Sequence, residues 1–264
     1  MNTEDFSSLK IDYDGDLLRI AIDRSDSTIN AVDAHLHDDL TKLFRMLKRE
    51  TDARAVLLYG RGSAFSAGGD VSWFKEHQSP EGAFRLHRDA RQLIWDMLEV
   101  ELPIVTAING YAMGLAANIA LLSDTIFMAR SAKIADPHVR VGLVAGDGGV
   151  VAWPLAIGPA KAKQYLMTGD PLTAEEAERI GLINYVVDDD ELLDRATAFA
   201  RRLAAGAPLA VRYTKMAVNK LVKDALNIAF DASLGFELVT FLSEDHKEGV
   251  EAFVNKRPPR FTGK

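Results

Sequence analysis

The 264-residue chain contains no cysteine. Disulfide bonds, thiolate nucleophiles, iron–sulfur clusters and cysteine-bound zinc are therefore excluded together. No apolar run approaches the roughly 18–20 residues that cross a bilayer, and the acidic, polar start MNTEDFSSLK is unlike a signal peptide. Positive charge is also scarce, since 31 Lys and Arg face 38 Asp and Glu, which gives a net charge of −7. We therefore expect a cytoplasmic protein with no nucleic-acid or membrane partner.

Short apolar stretches alternate with amphipathic ones along the first half of the chain. Strands are predicted at 17–22, 54–59, 104–108, 125–129 and 133–135, and helices at 31–50, 81–99 and 115–122. Further helices are predicted at 174–180, 190–204, 209–223 and 225–241. This order is typical of a mixed α/β core. Beyond a boundary at about residue 205, the apolar side chains fit either a subunit interface or packing onto the chain's own core, namely Leu221, Phe230, Phe236 and Phe241.

Two segments share a layout in which a strand is followed by a turn of small residues and then by a helix. The first is YGRGSAFSAGGD at 59–70, and the second is AINGYAMGLAAN at 107–118. A helix start supplies backbone N–H groups without acceptors, and small residues let a ligand approach them closely. Two such turns facing each other would form an oxyanion hole for an enolate or a tetrahedral anion. The alternative from the residues alone is two tight turns at strand ends.

Neither turn has the pattern of a nucleotide-binding loop. Residues 60–65 read Gly-Arg-Gly-Ser-Ala-Phe, so the third glycine of G-x-G-x-x-G is missing, and no G-x-x-x-x-G-K-[S/T] occurs. The six histidines also lack the spacing of a metal site. His35 and His37, for example, lie two apart on a predicted helix and do not share a face. The residues therefore predict no metal and no redox cofactor.

Four segments together resemble the enoyl-CoA hydratase/isomerase, or crotonase, family from about residue 11 to 261. They are GRGSAFSAGGD at 60–70, PIVTAINGYAMGLA at 103–116, ADPHVRVGLVAGDGG at 135–149 and GPAKAKQYLMTGDPLTAEEAERIGLINYVV at 158–187. The resemblance implies an α/β fold of the ClpP/crotonase type, a spiral of ββα units with a helical C-terminal trimerisation region. The core with the acyl-CoA site would span residues 1–204 and the oligomerisation region 205–264. It also implies an acyl-CoA thioester substrate, coenzyme A as part of that substrate, no further cofactor, and a homotrimer or homohexamer.

The resemblance also implies particular binding residues. The family pattern places one oxyanion donor on the N–H of Ala67 and the second on the N–H of Leu115, where the family's middle glycine is replaced by leucine. The first turn would line the path of coenzyme A. The residues carried over for that path are Ser66, Ala67, Gly68, Gly69 and Asp70. Lys256, in a basic C-terminal segment, would contact the coenzyme A phosphates, with a solvated tail as the alternative.

The catalytic positions depart from the pattern of typical hydratases, which use two glutamates to hold and activate one water. The matching residues here are Asn118 and His138. Asn118 can hold a water or act structurally, and His138 can serve as acid or base near neutral pH. Asp147 lies close by in GDGG, where it is either an acid or base or only a helix N-cap.

The reaction that these residues imply stays open between several members of one family. The resemblance favours an enoyl-CoA hydratase, a lyase of fatty acid metabolism that stabilises a thioester enolate in a two-N–H oxyanion hole. Replacement of both glutamates favours another crotonase reaction, such as isomerisation, C–C hydrolysis or decarboxylation. A weakly active acyl-CoA-binding oligomer is the third interpretation. The acid or base would be His138 or Asp147.

Overall fold

A computed structural model describes residues 5–264, apart from the side chains at positions 71 and 76. The strands are β1 Leu9–Asp14, β2 Leu17–Ile22, β3 Ala55–Gly60, β4 Ile104–Ile108, β5 Tyr111–Met113, β6 Thr125–Ala129, β7 Lys133–Ala135, β8 Leu172–Thr173 and β9 Tyr185–Val187. The helices are α1 Ala34–Leu47, α2 Val71–Glu76, α3 Pro80–Leu98, α4 Leu115–Leu121, α5 Gly149–Thr168, α6 Ala174–Arg179, α7 Leu192–Ala204, α8 Pro208–Phe241 and α9 Glu244–Val254. Single 3₁₀ turns occupy His138–Val141 and Asp189–Glu191.

The strands form a six-stranded sheet and a smaller three-stranded sheet. The larger sheet has the order β1-β2-β3-β4-β6-β9, and the smaller has the order β5-β7-β8. In the larger sheet only β1 runs antiparallel to its neighbour. Strands β3 and β4 are buried along their whole length, as parallel strands covered on both faces are. Because these two strands are parallel neighbours, their carboxyl ends meet at one edge of the sheet. Both glycine-rich turns begin there.

Most of the predicted elements are present within two or three residues of their predicted bounds, but the C-terminal part differs. The structure has one continuous helix, α8, where the sequence predicted two, because the predicted break at residue 224 contains neither Gly nor Pro to interrupt it. Helix α9 was not predicted, nor was the mostly exposed edge strand β1.

Within residues 5–264 no single helix is long and apolar enough to cross a membrane. Only α8 and α9 taken together, bent by 71°, pass such a test, by length and composition alone.

Helix α8 packs onto the rest of the chain through α3 and α5. Neither of the two environments considered for its apolar side chains, a subunit interface or the chain's own core, holds for all four. Phe230 and Phe241 are buried in the chain's own core, whereas Leu221 and Phe236 are mostly exposed. The helix therefore has two apolar faces. One face closes the site described below. The other face is exposed, and no part of residues 5–264 covers it.

Candidate active site

The two glycine-rich turns lie side by side because backbone hydrogen bonds join them. The amide of Ser66 donates to the carbonyl of Tyr111 at 2.9 Å, and the amide of Met113 donates to the carbonyl of Ser66 at 3.1 Å. The end of the first turn is held separately, since the amide of Asp70 donates to the carbonyl of Val32 at 2.8 Å. These bonds fix which of the remaining N–H groups face outward.

The N–H of Ala67 is not available to a ligand. It donates to the carbonyl of Ile29 at 2.9 Å, so the expectation that Ala67 supplies an oxyanion donor is not supported. The N–H of Gly69 differs, because the short parallel pairing with Val32 uses the peptide groups on either side of Gly69. Within residues 5–264 the N–H of Gly69 has no acceptor, and Gly69 lines the cavity described below. The sequence did not separate the two residues because the backbone orientation decides which amide faces a ligand.

Gly69 lies directly under the ring of Phe74, so a larger residue at this position would displace that side chain. A Cβ atom there would lie 2.3 Å from the ring of Phe74, far inside van der Waals contact. Phe74 itself lines the same cavity, as does Trp73. Both aromatic side chains belong to α2, whose N-cap is Asp70. The Asp70 carboxylate accepts from the amide of Ser72 at 3.0 Å, so Asp70 caps this helix and fixes the turn.

The second predicted donor, Leu115, is the first residue of α4. Its N–H has no intrahelical acceptor, as for every residue in the first turn of a helix. The helix cap is Gly114, which has φ +55° and ψ −127° and offers no side chain to satisfy that N–H. Leu115 and Gly69 line the same cavity, so the structure brings two acceptor-free amides to one space. The positive end of the α4 dipole also faces that space.

The cavity has a volume of about 420 Å³ and a mainly apolar wall. It extends from the two turns to the 3₁₀ turn that begins at His138, and α8 closes it on a further side. Apolar side chains from α3 and α8 contribute much of the wall, among them Ala83, Leu86, Ala90, Leu234, Leu238 and Phe241. The cavity suits a largely apolar ligand that is oriented by a few polar groups.

His138 is the central polar residue of the cavity. Its ring lies against Gly114, where a Cβ atom would be 3.3 Å from Cε1 of the imidazole. Nδ1 contacts the carboxylate of the buried Asp136, and Nε2 lies 3.4 Å from Oδ2 of Asp147. On the other side, Nε2 lies 3.9 Å from Oε1 of Glu237. The imidazole is therefore held at one nitrogen, and its other nitrogen faces two carboxyl groups.

Asn118 fixes the two aspartates relative to each other. Its Nδ2 group donates to Oδ2 of Asp136 at 2.9 Å and to Oδ1 of Asp147 at 2.6 Å. Its Oδ1 accepts from Nε1 of Trp153 at 3.2 Å. Both amide hydrogens and the carbonyl oxygen are thus engaged inside the protein. Asn118 acts as a positioning residue, and the alternative that it holds a water is not supported.

Asp147 is not a helix cap. The cap of α5 is Gly148, which has no side-chain hydrogen bond to the helix, and the Asp147 carboxylate points to Asn118 and His138 instead. The structure thus excludes the helix cap and places the Asp147 carboxylate in a polar cluster with Asn118 and His138. Asp136 belongs to the same cluster, although the sequence analysis mentioned it only within the segment ADPHVRVGLVAGDGG.

The surroundings shift the pKa values of His138 and Asp136 in opposite directions. Burial disfavours the charged imidazolium of His138, but the carboxylates of Asp136 and Asp147 outweigh it and raise the His138 pKa well above 6.5. Burial likewise opposes ionisation of Asp136, yet the contact with His138 holds the pKa of this carboxyl below 3.8. At neutral pH, His138 is therefore protonated and Asp136 is ionised.

Glu237, on α8, lines the cavity beside His138 and was missed by the sequence analysis. Burial, followed by the negative charge of Asp147, raises its pKa well above 4.5 and so favours the protonated carboxyl group. Glu237 lies about 100 residues beyond the other members of the cluster, so no local motif contains it. One signal was present, because Glu237 lies in a helical stripe whose other members, Phe230, Leu234 and Phe241, are buried and apolar.

The remaining predicted residues are placed unevenly. Ala67, Gly68 and Gly69 line the cavity, whereas Ser66 and Asp70 do not. Lys256 is exposed, has φ +51° and follows α9. Helix α9 lines the cavity through Phe253, and Lys256 itself does not line it. Its predicted contact with coenzyme A phosphates stays a prediction.

Three of these groups also have the chemistry of metal ligands. One ligand atom each from Asp136, His138 and Asp147 lies within 4.8 Å of the others. However, Nδ1 of His138 already contacts Asp136, and the Asn118 amide donates to an oxygen of each aspartate. The carboxylate oxygens are thus engaged by protein donors. The arrangement fits an ion-paired acid/base cluster better than a cation site.

Comparison with known proteins identifies the family. Residues 14–264 match the family model for enoyl-CoA hydratase/isomerase. The chain belongs to the enoyl-CoA hydratase/isomerase family. Among this family's curated members, carnitinyl-CoA dehydratase of Salmonella arizonae is 34% identical over 261 residues, which cover 97% of this chain and 98% of that protein.

Solved structures of the family confirm the predicted crotonase fold. An enoyl-CoA hydratase/isomerase from Mycobacterium paratuberculosis has a TM-score of 0.89 and 36% identity, covering 94% of this chain and 99% of its own. A β-diketone hydrolase from Anabaena, bound to (S)-3-oxocyclohexyl acetic acid, has a TM-score of 0.85 and 27% identity, covering 90% of this chain and 96% of its own. Members of the family are hydratases, isomerases and dehydratases, so an enzyme is supported at that level.

Proposed function

We propose that the protein removes water from, or adds water to, an acyl-CoA thioester through an enolate intermediate. The N–H groups of Gly69 and Leu115 hold the charge that develops on the thioester oxygen. Support comes from their lack of acceptors and from their position on one cavity, beside the protonated His138. Preorganised donors of this kind stabilise an oxyanion because they need no reorganisation during the reaction.

In the dehydration direction, Asp147 removes the proton from the α-carbon of a 3-hydroxyacyl-CoA. The electron pair moves to the thioester oxygen, where the two amides stabilise it. The electron pair then returns to form the α,β double bond while the C–O bond at the β-carbon breaks. The imidazolium of His138 supplies its Nε2 proton to the departing hydroxyl, which leaves as water. Hydration is the reverse of these steps.

The proton balance is restored within the cluster. Asp147 ends the dehydration protonated and His138 ends it neutral, and the two groups are 3.4 Å apart. Transfer of the proton from Asp147 to Nε2 regenerates the starting state. Asp136 keeps the imidazole oriented through Nδ1, and protonated Glu237 adds no second negative charge beside Asp147. Each group is assigned a role that its protonation state allows.

The observation that carries the proposal is the imidazole of His138 held between Asp136 and Asp147 beside the start of α4. The step shared by all enolate reactions is removal of the α-proton. We therefore expect a saturated acyl-CoA incubated with the protein in D₂O to exchange its α-hydrogens, measured by proton NMR. Exchange should be lost in Asp147→Asn. Absence of exchange with acyl-CoA chains of every length tried would contradict the enolate proposal.

A second reaction, hydrolysis of a C–C bond in a 3-oxoacyl-CoA, is favoured by the β-diketone hydrolase among the structural neighbours. Here Asp147 takes a proton from water, whose oxygen attacks the β-carbonyl. The bond between the α-carbon and that carbonyl carbon then breaks, and its electron pair forms the thioester enolate. His138 protonates the α-carbon, which yields a carboxylic acid and a shortened acyl-CoA.

The two reactions give different products from the same site. Enoyl-CoA and 3-oxoacyl-CoA substrates of matched chain length, each incubated in ¹⁸O-labelled water, separate them by mass spectrometry. Hydration places the label in a 3-hydroxyacyl-CoA, and C–C hydrolysis places it in a released acid. Because both glutamates of typical hydratases are replaced, we expect crotonyl-CoA itself to be hydrated slowly. Turnover of crotonyl-CoA at the rate of an efficient hydratase would contradict this interpretation of Asn118 and His138.

The assembly proposed for the protein is a homotrimer or homohexamer. Support comes from apolar side chains of α8 that are more than half exposed in the single chain, namely Leu221, Ile228, Phe236 and Val239. Monomers rarely expose contiguous apolar surface of this kind. Analytical ultracentrifugation should give a mass of three or six chains for the unmodified protein and a smaller species for Phe236→Lys. A monomeric unmodified protein would contradict the proposed assembly.

A further inference from the structure

His37, on α1, is a buried polar residue of the cavity wall without a hydrogen-bond partner for its ring. The imidazole lines the cavity and is only 3% exposed. Its Nε2 atom is fully buried without a partner, whereas Nδ1, which also has no hydrogen-bond partner within residues 5–264, is not fully buried and is the nitrogen that a ligand can reach. By contrast, His77, the other histidine that contacts the Trp73 ring, bonds through Nδ1 to the carbonyl of Trp73 at 2.9 Å and does not line the cavity.

An unpartnered buried imidazole is costly, so its persistence on a ligand cavity calls for a partner in the bound state. Buried polar groups in folded proteins are nearly always hydrogen-bonded, and leaving one without a partner costs about 1–3 kcal/mol. The cavity walls around His37 are formed by α1, α2 and α3, and they supply mainly apolar groups, including Trp73, Ala83 and Ala90. The other imidazole there, His87 on α3, forms no hydrogen bond with the His37 ring.

The charge of the missing partner can be deduced from the surroundings. Burial lowers the pKa of His37 below 6.5, so the ring is neutral near pH 7 and carries one N–H donor and one acceptor nitrogen. The cations on the cavity wall, Arg140 and the imidazolium of His138, are already paired, Arg140 with Asp170 at 2.6 Å and His138 with Asp136. An anionic ligand group next to His37 would therefore be buried without a counter-charge. An uncharged oxygen can pair with the ring at no such cost.

We propose that His37 is a specificity-determining residue that hydrogen-bonds a hydroxyl or keto oxygen carried by the acyl chain. The inference rests on the proposed acyl-CoA function and narrows it, because the acyl chain would then carry an oxygen in addition to the 3-hydroxyl or 3-keto oxygen of the proposed reactions. The oxygen is separate from the thioester oxygen, which the amides of Gly69 and Leu115 hold. Apolar contacts with Trp73 and α3 bind the remainder of the chain.

Binding, measured without turnover, tests this residue directly. The probes are alkyl-CoA thioethers of equal length, which cannot react, carrying either an unsubstituted chain or a keto or hydroxyl group at successive carbons. Isothermal titration calorimetry should show that the unmodified protein binds at least one oxygenated probe about 5- to 100-fold more tightly than the unsubstituted probe. If all oxygenated probes bind no better than the unsubstituted one, the proposed role of His37 is wrong.

Variants separate the hydrogen bond from packing. His37→Phe should remove the preference for the oxygenated probe while leaving the unsubstituted probe bound as before, and His37→Gln, which keeps a donor and an acceptor, should retain part of the preference. His77→Phe is the matched control and should keep the full preference. Equal discrimination in His37→Phe and the unmodified protein would overturn the inference while leaving the acyl-CoA function standing. Failure of every probe to bind the unmodified protein would overturn both.

Discussion

The two ends of the cavity differ in how their polar groups are satisfied. At the end formed by the 3₁₀ turn and α8, each carboxyl group contacts His138 or Asn118, and both ring nitrogens of His138 face a carboxyl group. At the end formed by α1, α2 and α3, the single buried imidazole of His37 has no partner among the described residues. A network that is satisfied before any ligand binds is preorganised for chemistry. A group that gains its partner only from the ligand is suited to selection.

The largest effect is expected from substitutions at the end of the cavity formed by the 3₁₀ turn and α8, where the polar groups already have partners. His138→Ala and Asp147→Asn should each lower kcat about 10²- to 10⁴-fold on whichever acyl-CoA is turned over, because each removes a proton-transfer group. The measurement is kcat for each purified variant, with His35→Ala, an exposed histidine outside the cavity, as the control. If both variants keep the unmodified rate, the cluster does not perform the chemistry.

The amide of Leu115 can be tested without removing a catalytic side chain. Leu115→Pro eliminates the N–H but keeps the helix start, since proline is well tolerated at the first position of a helix. We expect kcat to fall about 10²- to 10³-fold, the range typical for loss of one oxyanion donor. Leu115→Ala retains the N–H and is the control. A similar loss in both variants would mean that the leucine side chain, and not its amide, matters.

A smaller effect is expected at the end of the cavity that selects the acyl chain. Leu86→Ala enlarges the wall on α3 by a few methyl groups and should shift the preference toward longer acyl chains, with a change in kcat/KM of about tenfold between neighbouring chain lengths. The value of kcat for the best substrate should change little. An equal loss of kcat for all chain lengths would show that this wall is not separate from the catalytic end.

The smallest effect concerns Glu237 and appears as a pH dependence of stability. Because its folded pKa is raised above the ordinary 4.5, the folded protein holds this proton more tightly than the unfolded chain does. The Glu237 contribution is therefore fully present below that value and declines as the pH rises toward the folded pKa. Glu237→Gln lacks a proton to lose, so its free energy of unfolding should rise relative to that of the unmodified protein as the pH increases from about 4.5 toward the folded pKa.

The measurement for Glu237 is urea denaturation of both proteins across that range. Only the difference between them is interpreted, because His138 titrates in both. A difference that is constant with pH would show that the pKa of Glu237 is not raised in the folded protein.

Local sequence patterns were sufficient for much of the fold and for part of the site. Strands such as β4 and β6 were predicted at their observed bounds because apolar residues fill them entirely. Long-range features were less accessible. Helix α8 was divided in two because its apolar residues serve two faces, one packed on the core and one exposed, so no single period describes it.

The sequence by itself determined that two small-residue turns follow parallel strands, and that His138, Asp147 and Leu115 occupy positions from which they can act, because each lies in a local motif. Only the tertiary structure decided that Gly69 and not Ala67 has the acceptor-free amide, that Asn118 is fully engaged by Asp136, Asp147 and Trp153, and that Glu237 joins the cluster. The physical reason is that hydrogen-bond satisfaction and protonation depend on groups distant in the chain, which only packing brings together.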